Sequence, residues 1–131
     1  MAILNRWFEE VWNQGRESAI DELSYPETVC HGLRDAQGKT VDGMDAFKAF
    51  HRQFRAGLSD IHIIVEDTVT EGDLTVARCT VRGKHTGEGL GKPPKGNLLQ
   101  FSGMTMVRLR KGKIAEAWNN YDFTTMLEQM E

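Results

Sequence analysis

Three histidines, His31, His51 and His85, are the side chains of this sequence best suited to move a proton near neutral pH, because imidazole titrates there without help from its surroundings. His51 has the strongest topological position. It falls on the apolar stripe of a predicted helix, beside Phe47 and Phe54. An interior histidine bonded to a neighbour is the structural reading of the same position. His85 stands at the entrance of a long polar loop and could instead pin that loop. With His62, the four histidines have no close metal-ligand spacing, so no metal site is expected.

The elements that must position these groups follow from the spacing of apolar residues. Leu4, Trp7, Phe8, Val11 and Trp12 share one stripe and predict a helix from about Ala2 to Gln14, ended by Gly15. Ser18, with Asp21 three residues on, predicts a capped second helix to about Leu23. Glu27 to His31 reads as a short extended run before a turn around Asp35, Gln37 and Gly38. A third helix is expected over about Met44 to Ala56, facing inward through Phe47, Phe50, His51 and Phe54. After Leu58 the period falls from about 3.6 to 2. Strands are expected around Ile61 to Glu66, and over Val76 to His85, Leu98 to Arg110 and Ile114 to Tyr121; Phe123, Met126, Leu127 and Met130 then mark a terminal helix. Helices followed by a strand meander predict the α+β class, with the N-terminal helices packed on one face of a strongly curved antiparallel sheet, in one domain over residues 1–131.

Strand parity separates two faces. Ala77, Cys79, Val81 and His85 share one face with Phe101, Thr105, Ala117, Asn119 and Tyr121. Its small residues leave room for a ligand in a mostly apolar pocket with a few polar anchors. Trp12, Phe47, Phe54, Cys79, Phe101 and Tyr121 are its expected walls, with His31 and His85 as polar contacts; ordinary core packing is the alternative at each. Met104, Met106 and Trp118 lie on the opposite face and need cover, which predicts a homodimer.

Between the second and third long strands runs VRGKHTGEGLGKPPKG, a Gly- and Pro-rich loop too long for a hairpin turn. Loops of this kind rim binding sites. Its glycines do not follow a phosphate-binding pattern. The net charge of −3 is well mixed, and the cluster Lys84, Lys92 and Lys95 reads as a solvated rim rather than a nucleic-acid stripe. No apolar run approaches a membrane span and the N-terminus has no signal-peptide arrangement, so a cytoplasmic protein without membrane or nucleic-acid partners is expected. Cys30 and Cys79 are expected as buried thiols.

The same loop, RGKHTGEGLGKPPKG, together with GKIAEAW at Gly112 to Trp118, Asp122 before the last helix, the opening WFEEVWNQG and the segment FHRQFRAGLSDIHIIVED, resembles the SnoaL-like polyketide cyclase family within the NTF2-like fold. The resemblance spans nearly the whole chain. It implies an α+β cone around an apolar cavity, often dimeric, and cofactor-free intramolecular aldol ring closure through an enolate. It places the family's catalytic aspartate at Asn119 and the histidine paired with it at Thr105. An amide can hold a carbonyl but cannot donate and recover a proton. Asp122 could replace the missing acid, or cap the terminal helix it precedes. Catalytic candidates are therefore Asn119, Thr105, His51 and Asp122. Two functions stand: a cyclase or isomerase acting on a small apolar carbonyl compound, and a noncatalytic binding domain for an apolar metabolite.

Overall fold

The computed structural model describes residues 2–131. The opening helix begins as α1, Ile3–Arg6, and continues without a break as a π-helical segment, Trp7–Asn13. Its wider turn buries Trp7, Phe8, Val11 and Trp12 together. The helix end leaves carbonyls to be satisfied. Gln14 N–H donates to Glu9 O at 2.8 Å and Arg16 N–H to Glu10 O at 2.9 Å. The next carbonyls are met from another helix, α3 (Met44–Gly57): His51 Nε2 donates to Val11 O at 2.7 Å, and Arg55 Nη1 donates to Trp12 O. Asn13 then turns its amide to the sheet, exchanging bonds of 3.0 and 2.7 Å with the Ile63 backbone.

Helix α2 spans Ser18–Leu23, close to expectation, but Ser18 is not its cap. The cap residue is Glu17, whose side chain makes no capping bond and pairs with Arg52 instead, and the Ser18 hydroxyl accepts from Arg16 Nη1 at 3.2 Å. The strands are β1 (Ser24–His31), β2 (Leu58–Glu71), β3 (Leu74–His85), β4 (Leu98–Arg110) and β5 (Lys113–Tyr121), followed by α4 (Phe123–Gln129). Among the described residues they form one sheet in the order β1-β5-β4-β3-β2.

This order corrects the expectation of a strongly curved antiparallel cone. The sheet is open and not strongly curled: β1 and β2 lie at opposite edges and do not pair. It is also mixed, because β1 runs parallel to β5 while the other pairs are antiparallel. The physical reason is that helix α3, not sheet closure, bridges the two edges, packing on both β1 and β2. Irregular registers in β1, β2 and β5 bend single strands locally. In β1, the Thr28 hydroxyl donates to Ile114 O at 2.7 Å where the ladder shifts between Ser24 and Val29.

Gly32, directly after β1, fixes how this edge meets the site. It has φ +88°, and a Cβ there would lie 1.9 Å from Asn119 O. Gly38 has a similar φ, +80°, with nothing within 4 Å of the same position. Gly38→Ala is thus expected to cost about 1 kcal/mol of backbone strain, and Gly32→Ala at least about 2 kcal/mol, because a clash with backbone adds to it. Thermal melts of both variants check this; equal losses would show that the approach of Gly32 to β5 does not matter.

Candidate functional site

Aromatic side chains from the helices meet the sheet's inner face around a cavity. Trp12 is the hub: its ring lies edge-on to Phe47, Phe50 and Phe54 at centroid distances of 6.0, 6.2 and 5.5 Å. Trp7, Phe8 and Phe47 continue the wall, and Cys30, Phe101, Thr105, Ala117, Asn119 and Tyr121 form the sheet side. The cavity is narrow. Measured at the centres of water-sized molecules its volume is about 70 Å³, enough for on the order of five waters.

The polar side is a string of hydrogen bonds whose direction can be derived. Asn119 Nδ2 donates to His31 O at 3.0 Å and lies 3.6 Å from Cys30 Sγ. A backbone carbonyl only accepts, so the amide orientation is set and Oδ1 must accept. Thr105 Oγ1 donates to it at 3.0 Å. Threonine has one hydroxyl proton, so the 2.8 Å contact between Thr105 Oγ1 and Tyr121 Oη is a bond that Tyr121 donates. The string ends at a phenol oxygen whose proton is committed, so toward any further partner that oxygen can only accept.

The position of Tyr121 depends on a glycine. Gly103 is its register partner on β4, and a Cβ there would lie 2.3 Å from the Tyr121 ring. The ring therefore lies across β4 where no side chain competes. Burial, and then the neighbouring Cys79 thiol, hold the phenol protonated well above its usual range. Burial, and then Asp42, push the Cys30 thiol up to about 11. No carboxylate, imidazole or amine lines the cavity among the described residues.

The structure brings Asn119, Thr105, Trp12, Phe47, Phe54, Phe101 and Tyr121 together around this cavity. It places the other candidates elsewhere. His51 is buried, edge-on to Trp12 at 4.8 Å, and bonded to Val11 O. Asp122 caps α4, with Oδ1 accepting from Thr125 N–H at 3.0 Å and Oδ2 from Thr125 Oγ1 at 2.6 Å. Those bonds lower its pKa. His31 lies on the outer side of the sheet, 2.7 Å from Glu116 and stacked on Trp118. Cys79 sits behind Tyr121, fully buried. His85 is fully buried with no hydrogen-bond partner on either ring nitrogen, while its backbone pairs with Gly96 and Asn97 at the loop's base.

Sequence reasoning did not assign Trp7, Phe8, Cys30 or Phe123 to the cavity. Trp7 and Phe8 share the apolar stripe with Trp12, which was the available signal. Cys30 faces inward only because β1 joins the sheet beside β5, a pairing no local pattern announces. No group of three or more His, Cys, Asp or Glu side chains able to hold a metal occurs among the described residues. No helix among them is long and apolar enough to cross a membrane.

Comparison with known proteins agrees with this geometry. The family described as SnoaL-like polyketide cyclase matches residues 2–130. Among solved structures, wild-type IdmH, a putative polyketide cyclase from Streptomyces antibioticus, is 30% identical with a TM-score of 0.83, covering 97% of this chain and 94% of that one. A putative SnoaL-like polyketide cyclase from Jannaschia sp. CCS1 is 23% identical with a TM-score of 0.83, covering 98% and 88%. AclR, a putative hydroxylase from Streptomyces galilaeus, is 23% identical with a TM-score of 0.77, covering 92% and 73%. No curated protein matches. The fold thus accompanies proteins described by different chemistries and does not decide the reaction.

Burial depresses the His51 pKa below its ordinary 6.5, outweighing the bond to Val11 O. The unfolded imidazole gains its proton near 6.5, and the folded one only at lower pH. Below 6.5 the unfolded state therefore holds more protons, and stability falls as pH drops toward the folded value. Melting curves between about pH 5 and 7.5 should show this acid loss in the wild type and a flatter profile in His51→Gln, which keeps an N–H donor but does not titrate. Parallel profiles would mean that His51 is not the linked group.

Proposed function

The chain belongs to the SnoaL-like polyketide cyclase family, and from that premise we propose that it takes a small apolar carbonyl compound into the cavity in enol form and promotes its ring closure or isomerisation from that enol; in ring closure the enol carbon bonds to a second carbonyl of the same molecule while the enol hydroxyl's proton passes to that carbonyl's oxygen. The observation that carries this reading is the hydrogen-bond string from Asn119 through Thr105 to Tyr121, a wall residue whose oxygen can only accept from a ligand that reaches it. A ketone has only acceptors to offer, whereas an enol has a hydroxyl to donate. The apolar walls favour the neutral enol over a free enolate, since a buried charge without a partner is costly. Catalysis would come from holding the two reacting ends together, an effect of orientation rather than of a strong base. No cofactor is part of the proposal.

A noncatalytic binding domain is the second reading. It is favoured by the wall's chemistry: the titratable groups on it, Cys30 and Tyr121, are both pushed up by burial and stay protonated near neutral pH.

Trp7 and Trp12 on the cavity wall provide an internal fluorescence probe. Titration with 1-phenyl-1,3-butanedione, and with its 2,2-dimethyl analogue that cannot form the conjugated enol, tests the binding claim. The enolisable compound should bind more tightly, and Tyr121→Phe should weaken it about three- to tenfold, the range of one neutral hydrogen bond, while leaving the dimethyl compound unaffected. Equal affinities for both compounds in the wild type would contradict the enol reading. An aromatic tricarbonyl able to close a ring separates the two functions: a rate at saturation no faster than in buffer would favour the binding domain.

The proposal extends to a homodimer formed through the sheet's outer face. Met104 is half exposed there, with Met106 and Trp118 partly covered. Sedimentation should give a dimer for the wild type and a shift toward monomer for Met106→Glu; a wild-type monomer at high concentration would contradict it. The two free thiols, Cys30 and Cys79, suit a reducing compartment, and a cytoplasmic location belongs to the same proposal.

A further inference from the structure

A second hollow adjoins the cavity. Leu33, Phe50, Phe54 and Phe123 line both, and the volume of the hollow on the same measure is about 440 Å³. These four side chains stand between a narrow inner chamber and a wide outer one and belong to the wall of each. The outer chamber lies between the turn carrying Arg34 to Thr40, the loop at Gly89 and Leu90, and Met126 and Leu127 of α4.

Its rim is built. Thr86 and Gly87 N–H donate to Gly57 O at 3.2 and 3.1 Å, which docks the loop on the end of α3. The Leu90 side chain fills the place beside Gly57, where a Cβ would lie 2.6 Å from it. The loop is thus held by backbone bonds and by a packed leucine.

Arg34 brings a charge to this chamber. Its Nη1 donates to Gly38 O at 3.0 Å and lies 3.5 Å from Thr40 Oγ1, both uncharged. Among the described residues no carboxylate pairs with it, whereas Arg52 and Arg108 are paired with Glu17 and Asp73. The chamber's own carboxylate, Asp35, is turned to the backbone: Oδ1 accepts from Gln37 and Lys39 N–H at 3.0 and 2.9 Å. A guanidinium has five donors, so most of Arg34's are left for a ligand.

We propose that the outer chamber is a second subsite, which takes the anionic end of an elongated apolar carboxylate while its ring-bearing end occupies the inner cavity. The inference rests on the inner-cavity reading above and adds the ligand class: a molecule long enough to reach past Leu33, Phe50, Phe54 and Phe123 from one chamber into the other, with one acidic terminus beside Arg34. The inner chamber selects shape and Arg34 selects charge.

A matched pair of fluorescent probes separates the two claims: 8-anilinonaphthalene-1-sulfonate, and N-phenyl-1-naphthylamine, which has the same rings without the sulfonate. Arg34→Gln should weaken the sulfonate about three- to fivefold, as expected for an exposed ion pair, and leave the neutral probe within about twofold. Leu90→Glu, which puts a carboxylate into the same chamber, should act in the same direction, and added salt should narrow the wild-type preference. Unchanged sulfonate affinity in both variants overturns the second subsite while leaving the inner cavity standing. Failure of both the neutral probe and 1-phenyl-1,3-butanedione to bind the wild type overturns the inner-cavity reading and this proposal with it. Sulfonate binding that responds to Met104→Glu on the outer sheet face but not to Arg34→Gln also overturns it.

Discussion

The side-chain amide of Asn119 is the constraint on which the rest of the site depends. It joins three strands at one point: it stands on β5, donates to His31 O at the end of β1 and accepts from Thr105 on β4. Because a backbone carbonyl cannot donate, that first bond sets the amide, the amide sets the threonine, and the threonine sets the tyrosine. The direction of the last hydrogen bond is therefore imposed by main-chain geometry some distance away. A carboxylate at position 119 could not donate to His31 O, and β1 would lose that attachment beside Gly32. Position 119 thus belongs to the architecture as much as to the cavity.

The opposite wall depends on how the π-helical segment is completed. Its terminal carbonyls at Val11 and Trp12 are satisfied by His51 and Arg55 of α3. This brings α3 close enough for Phe47, Phe50 and Phe54 to pack edge-on to Trp12. The imidazole that sequence reasoning favoured as a base is instead used to hold two helices together. The resulting wall is aromatic and apolar, which raises the cost of any charge inside it. Buried phenol and thiol consequently keep their protons near neutral pH.

Much of the architecture was legible from local signals. The change of period after Leu58, the bounds of β4 and the inward parity of Thr105, Asn119 and Tyr121 follow from alternation, because antiparallel neighbours joined by short turns carry their register in their own residues. The parallel docking of β1 was not legible: its partner β5 is more than eighty residues away, as in the Thr28–Ile114 bond, and its own run is short and irregular. The degree of sheet curvature failed for a related reason, since apolar residues on both faces do not reveal whether a helix or another strand covers an edge. His31 and His85 show the limit of parity for the site. One lies outward against Glu116 and Trp118, and the other is sealed at the loop base, although both are imidazoles in strands.

The central claim is that the Tyr121 oxygen accepts from a bound ligand and so selects an enol. The most direct measurement is the carbon-13 spectrum of carbonyl-labelled 1-phenyl-1,3-butanedione bound to the wild-type protein, compared with the same compound free in buffer. The bound signal should shift toward the enol form, and Tyr121→Phe should abolish the bias. A bound population with the keto-to-enol ratio of free solution, or one enriched in the diketone, would contradict it.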